Sequence, residues 1–177
     1  MRQHNEQSSN AATSNAATSN AATSNAAKSA AHRNVENVAA KMLGHREHGQ
    51  REIVRKLRAK GHAAEVVDEV VTRLVELELV SDVRFAEAFV RSRLRRGQGP
   101  LRIRADMRQR GIDDPLVDDV LTETGEFWQR QAEQARQKRF GEAQPQERCT
   151  WGRQARFLSQ RGFPADVIYR VLGEIHG

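Results

Sequence analysis

A chain of 177 residues with 38% hydrophobic and only 5% aromatic residues holds too little apolar matter for one thick globular core, and a thin, extended one suits it better. No apolar run approaches the roughly 20 residues of a membrane span, and the single cysteine, Cys149, excludes an intramolecular disulfide, which fits a reducing cytoplasm. Lys and Arg number 29 against 23 Asp and Glu, but residues 1–34 hold Arg2, Lys28 and Arg33 against Glu6, so the remaining body carries 26 basic and 22 acidic residues and charge placement matters more than net charge.

From Ser9 to Lys28 the pentapeptide SNAAT recurs three times and closes as SNAAK. Alanine favours helix, but Ser, Asn and Thr recur every turn, compete for backbone hydrogen bonds and leave no apolar stripe to bury. Residues 1–34 are therefore expected to be a disordered, low-complexity tail.

Beyond the tail every apolar pattern is helical. Val66, Val67, Val70, Val71, Leu74 and Val75 are strand-favouring by type, yet their spacing of one, three and four puts all six on one helical face. Phe85, Ala86, Phe89, Val90 and Leu94 follow the same rule. The predicted helices fall at 35–45, 50–60 and 64–78 in a first repeat spanning 35–80, at 82–96, 100–110 and 114–123 in a second spanning 81–124, and at 126–140, 147–161 and 165–175 in a third spanning 125–177. Ser81 or Asp82 suits an N-cap, Pro100 a first helical position, and Asp113 and Asp114 the start of the next helix.

The repeats share a signature. Leu57, Lys60, Gly61, Val66, Val67, Val70 and Val71 return as Met107, Arg110, Gly111, Leu116, Val117, Val120 and Leu121, and again as Leu158, Arg161, Gly162, Val167, Ile168, Val171 and Leu172, at spacings of 50 and 51 residues. A period near fifty marks a stacked repeat protein, and such arrays bind more often than they catalyse. The glycines fall where a helix C-terminus needs a left-handed residue, and the preceding Lys60, Arg110 and Arg161 complement the helix dipole.

Charge gathers in the second repeat. Residues 91–110 hold eight arginines and one acid, Asp106. Arg91 and Arg95 lie one helical turn apart, as do Arg104 and Arg108, and with Arg96 and Arg102 they form the candidate binding set, able to grip phosphates or carboxylates bidentately. The alternative is a solvated basic face, with Arg110 a helix-end residue. An acidic protein strip and the phosphates of DNA would both satisfy such a cluster, and few aromatics lie nearby for base stacking. Arg130, Arg136, Lys138, Arg139, Arg148, Arg153 and Arg156 of the third repeat are interspersed with glutamates and read as an ordinary exposed surface. Trp128 and Trp151 read as core.

Nothing suggests catalysis. His45 and His48 lack the further ligands a metal site needs, Gly97-Gln98-Gly99 lacks the lysine and spacing of a phosphate loop and reads as a connector, and Asp113, Asp114, Asp118 and Asp119 are explained by a helix start. The expectation is a non-enzyme with no catalytic residue, no cofactor and no metal.

The ordered residues Arg46-Glu47-His48, Glu52-Ile53, Lys56-Leu57 and Lys60-Gly61, then Asp82, Arg84-Phe85-Ala86, Arg91, Gly97, Gly99-Pro100, Ile103 and Gly111-Ile112, then Arg156-Phe157-Leu158, Arg161-Gly162-Phe163 and Asp166-Val167-Ile168 resemble the RecX family of bacterial recombination regulators. The resemblance covers about 35–175, and His62 departs from it where the family more often has an aromatic residue. It implies an all-α, elongated and curved array of three tandem three-helix repeats behind the tail. It further implies a cytoplasmic, monomeric, non-enzymatic partner of the RecA filament on single-stranded DNA. Such a partner limits filament growth and lowers ATP hydrolysis, strand exchange and co-protease activity. A helical module acting on DNA directly, through weak DNA binding of its own, is the alternative.

Overall fold

The computed structural model of the chain describes residues 6–173, with side chains from Asn25 onward. Among the described residues the protein is all-α, with nine helices: α1 Glu6–Leu43, α2 Gln50–Ala59, α3 Ala64–Glu76, α4 Asp82–Arg95, α5 Pro100–Gln109, α6 Asp114–Val120, α7 Gly125–Phe140, α8 Arg148–Gln160 and α9 Ala165–Leu172. They form three three-helix repeats, and apart from the start of α1 the helix ends fall within about three residues of those the periodicity predicts. Gly61, Gly111 and Gly162 each end a middle helix with φ of +86, +82 and +88, the left-handed geometry expected of them.

Residues 1–5 of the expected tail lie outside the described residues, and α1 begins at Glu6, upstream of residue 35 where the first repeat was expected to open. Lys28 Nζ donates to Glu69 Oε1 at 3.0 Å and the His32 ring meets Glu69 Oε2 at 2.6 Å, so the contacts of α1 with α3 start before residue 34. The reason is spacing: Lys28, His32, Val35 and Ala39 share one helical face, and the last two are buried. Hydrogen bonds donated to the Lys28 carbonyl and then to Glu69 hold the partly buried His32 ring above the ordinary histidine pKa, while Lys28 and then His32 hold Glu69 below the usual carboxylate value.

The chain divides into two compact units. The first takes α1, residues 53–59 of α2 and α3 as far as Leu79. Val35, Ala39, Ile53, Leu57, Val67 and Val70 are its deepest residues, each 2% exposed or less. All six valine-stripe positions lie in α3, and five of them are buried, with Val75 partly so, which is periodicity overriding β propensity.

The second unit takes residues 47–52 and everything from Val80. Ser81 caps α4 by accepting from the Arg84 N–H at 3.3 Å, and Asp82 accepts from the Gln50 N–H at 2.8 Å, satisfying a donor that a helix start leaves open. The core runs through Phe85, Ile103, Met107, Val117, Trp128, Leu158, Phe163 and Ile168. At about 1.5–3 kcal/mol for each large apolar side chain buried, this seam is the main favourable term in the unit.

Two backbone hydrogen bonds lock repeats two and three together: the Gly99 N–H donates to the Arg161 carbonyl at 2.8 Å and the Leu101 N–H to the Gly162 carbonyl at 3.0 Å. A Cβ on Gly99 would stand 2.5 Å from the Gly162 carbonyl, so the connector Gly97-Gln98-Gly99 is also a docking surface.

One residue of the third repeat departs from expectation. Arg136 belongs to the basic set read as an exposed surface, yet its side chain is fully buried. Trp128, Ala132, Ala135 and Arg136 lie on one inward face of α7. The guanidinium meets Glu133 through Nε and Nη2 at 3.0 and 2.7 Å and donates to the Ala143 and Glu142 carbonyls at 2.9 and 3.0 Å. It thereby pins the loop after α7 with its donors satisfied, the condition under which a buried charge is tolerated.

Candidate partner-binding surface

The eight arginines between residues 91 and 110 separate into groups by what neutralises them. Arg93 is the most enclosed: Nη2 lies 3.2 Å from Asp106 Oδ2, and its guanidinium lies 4.5 Å over the Phe89 ring. Burial pushes its pKa down and Asp106 opposes the change. Arg110 covers Phe89 as well, at 4.8 Å, and donates to the Asp106 carbonyl at 2.8 Å. Phe89 is thus held by two cation–π contacts at the edge of the core, and Arg110 does more than complement a dipole.

Arg102 Nε meets the other Asp106 oxygen at 3.3 Å, and Arg91 lies 3.7 Å from Glu87 one turn earlier on α4; both side chains stay more than half exposed. Arg104 pairs with Asp118 and Arg108 with Asp114, so both turn toward α6. The hydrogen bond to Asp114 raises the Arg108 pKa. The aspartates of α6 therefore serve as counter-ions in addition to starting a helix. Much of the repulsion expected of so dense a block is relieved inside the repeat.

Arg95 and Arg96 differ: among the described residues neither has an acidic partner, nor, unlike Arg110, a carbonyl bonded to its guanidinium or an aromatic ring beneath it. They line a cleft of about 590 Å³ between the end of α4, the outer face of α7 and the end of α8, together with Lys138, Arg139, Arg161 and Phe157. Gln131 and Gln134 add amide groups, and no residue lining the cleft is acidic. Arg161 is built in. Its Nη1 donates to the Arg96 carbonyl, and its guanidinium lies 4.9 Å over the Phe157 ring. The expected role of Arg161 as a helix-end charge is thus joined by a bond across the connector.

Of the candidate set, the structure brings Arg95 and Arg96 into this cleft and leaves Arg91, Arg102, Arg104 and Arg108 outside its lining. Lys138, Arg139 and Arg161 were missed as partners of that set. A signal existed in Gln131, Gln134, Ala135 and Lys138, which share one helical face without a carboxylate. That this face meets the end of α4 depends on the Gly99–Gly162 joint, which no local pattern reveals.

The other family-like positions lie outside the cleft. Phe85, Ala86 and Phe163 are core, Glu52 is buried, and Asp82 holds the start of α2. Gly111 packs on the Arg51 side chain, while Lys60 and Gly61 form an exposed turn. No group of His, Cys, Asp and Glu among the described residues is arranged to hold a metal ion, and no described helix is long and apolar enough to cross a membrane.

Comparison with known proteins agrees with this architecture. The first, second and third three-helix domains of RecX match residues 37–74, 81–121 and 128–172, in that order. The chain is 45% identical over 134 residues to a protein of Halorhodospira halophila named Regulatory protein RecX, covering 76% of this chain and 83% of the relative. It is 42% identical over 138 residues to a protein of the same name from Pseudomonas savastanoi pv. phaseolicola, covering 78% and 89%. The crystal structure of a regulatory protein RecX superposes with a TM-score of 0.71 at 26% identity, covering 84% of this chain and 74% of that one. With all three domains matched in order and identity above 40% over most of its length, this chain belongs to the RecX family.

Proposed function

We propose that this protein is a negative regulator of the RecA recombinase. In this reading it acts in the cytoplasm as a monomer without enzymatic activity, binds the RecA filament on single-stranded DNA, and lowers filament growth, ATP hydrolysis, strand exchange and co-protease activity. The observation that carries the reading is the presence of all three RecX domains in order on one chain. The second repeat and the neighbouring cleft supply the contact surface, through Arg91, Arg95, Arg96 and Arg102. Arg104 and Arg108, engaged with Asp118 and Asp114, hold α5 on α6 and offer a partner less. Charge of this kind gives a fast, salt-sensitive association.

The test follows RecA ATP hydrolysis on single-stranded DNA at rising doses of the protein. A progressive fall is expected; unchanged hydrolysis at doses well above saturation overturns the reading. A helical module acting on duplex DNA by itself is the alternative. It predicts salt-dependent retention of duplex DNA without recombinase, and the spread of basic residues over several helices gives it no recognition helix for base readout.

A further inference from the structure

We propose that the cleft between α4, α7 and α8 is a phosphodiester-backbone site for single-stranded nucleic acid, with Arg95, Arg96, Lys138 and Arg139 as the phosphate ligands and Arg161 as the residue that positions Arg96. The inference deepens the filament reading, and rests on it only for where such a strand would be met.

The first argument is charge. Around the cleft, Arg91, Arg93, Arg102, Arg104 and Arg108 each have a carboxylate within reach on their own or a neighbouring helix. The five cations lining the cleft have none among the lining residues. A structural need for those charges falls short. Arg95, Lys138 and Arg139 stand in the last turns of α4 and α7, with Arg96 the C-cap of α4. A helix C-terminus presents only about half a negative charge, so the ends of α4, α7 and α8 together leave most of the five cations uncompensated. Like charges gathered in a concavity raise its potential and focus anions there.

The second argument is the kind of donor. Guanidinium and ammonium groups, with the Gln131 and Gln134 amides beside them, offer many N–H donors. That matches an anion rich in acceptor oxygens, repeated along a chain. The cleft's one aromatic ring, Phe157, is already covered by the Arg161 guanidinium and meets Phe140 edge-on at 5.2 Å, so it is poorly placed for base stacking. The cleft reads backbone and is indifferent to sequence. A strip of acidic protein surface would be matched better by a rim of both signs, since alternation fixes register between two proteins.

The third argument is preorganisation. The Arg161 guanidinium is held by the Phe157 ring on one side and the Arg96 carbonyl on the other. The Gly99–Arg161 backbone bond closes the same corner. The Arg95-Arg96-Gly97 turn is therefore fixed before any strand arrives, which lowers the ordering cost of binding.

The experiment measures binding of a labelled single-stranded oligothymidine to the full chain by fluorescence anisotropy across a salt series, without recombinase. Each phosphate contact on a single strand contributes about 0.7 to the slope of log affinity against log salt. Arg95→Gln with Arg96→Gln should lower that slope by about 1.4, and Lys138→Gln with Arg139→Gln by about as much again. Arg58→Gln with Arg73→Gln, which removes two charges from the first unit, should lower it far less. Circular dichroism on each variant confirms retained helicity.

Absence of oligothymidine binding by the wild type overturns the inference, as does a slope that all three variants lower equally. Loss of RecA inhibition in both cleft variants with an unchanged oligothymidine slope would assign the cleft to an acidic surface of the recombinase and overturn the phosphate site, leaving the filament reading in place. The reverse pattern, a slope that falls as expected in the cleft variants while the wild type leaves RecA ATP hydrolysis untouched, supports the site and sinks the filament reading.

Discussion

The Lys60–Gly61 turn of the first unit and the Arg161–Gly162 turn of the second have the same place in their repeats and nearly the same left-handed glycine, with φ of +86 and +88, yet they do different work. Nothing stands within 4 Å of where a Cβ on Gly61 would lie, whereas one on Gly162 would lie 2.4 Å from the Arg102 backbone nitrogen. Gly61 is needed for its conformation alone; Gly162 is needed for conformation and because a neighbouring backbone passes through the space a side chain would take. The basic residue diverges in parallel. Lys60 is exposed, while Arg161 bonds to the Arg96 carbonyl. A repeated motif thus guarantees a local turn, and its neighbours decide whether the turn is also a joint.

Substitution can break that contrast. Gly162→Ala should cost about 3–5 kcal/mol, combining left-handed strain with a clash against backbone that cannot move aside. Gly61→Ala should cost about 1–2 kcal/mol, the strain alone. Gly111→Ala falls between, because the group it meets is the flexible Arg51 side chain, 2.1 Å from the added atom at its nearest. Urea unfolding of the three variants checks the order, and equal losses would dissolve the distinction between turn and joint.

The two units also differ in the ion pairs that hold them. Arg136→Met should destabilise the second unit by about 2–3 kcal/mol, below the range for a wholly buried pair because Glu133 keeps some exposure to water. Its hydrogen bond to Arg136 holds Glu133 below the ordinary glutamate value of 4.5, against an opposing push from burial. A depressed carboxylate contributes fully above its unfolded value and loses the contribution as pH falls through its folded one. Acid stability of the wild type should therefore decline below about pH 4.5, and Glu133→Gln should flatten that decline; urea midpoints across the acid range read it, and an unchanged decline in the variant would count against the pair.

In the first unit the His32–Glu69 contact is exposed and its effect smaller. A raised histidine contributes below its unfolded value and loses the contribution as pH rises through its folded one, the opposite sign from Glu133. Titrating the His32 ring by NMR should give a midpoint above that of an ordinary histidine, and Glu69→Gln should lower it; a midpoint unmoved by the substitution would remove Glu69 as a cause. The smallest effect is expected from deleting residues 1–24, upstream of the Lys28 contact. Unfolding should be unchanged within error, and a marked loss would show that the pentapeptide segment takes part in the fold.

Much of this architecture was legible beforehand because helices announce themselves locally. The valine stripe of α3, the serine before α4 and the proline opening α5 act through neighbours three or four residues away, and periodicity and capping read that range directly. The contacts of Lys28 and His32 are not legible locally because both residues are polar and carry no hydrophobic signal; their place is set by Glu69, 41 and 37 residues on. Arg136 was misread for the complementary reason, since burial of a charge depends on the carbonyls of a later loop folding back over it.

By itself, then, the sequence determined the nine helices of the described residues, in three repeats, and the left-handed glycine that ends each middle helix, because helical period and backbone sterics act within a few residues. It also marked residues 91–110 as the place where arginines gather. Only the tertiary structure decided which of those charges are spent on internal carboxylates and which are left without one. Arg104 and Arg95 are alike in sequence, but one falls opposite Asp118 and the other in a cleft lined by Lys138 and Arg139. Electrostatic pairing is governed by distance in space: Arg104 meets Asp118 inside its own repeat, while the surroundings of Arg95 depend on the docking of Gly99 on Gly162, a contact between residues 63 positions apart.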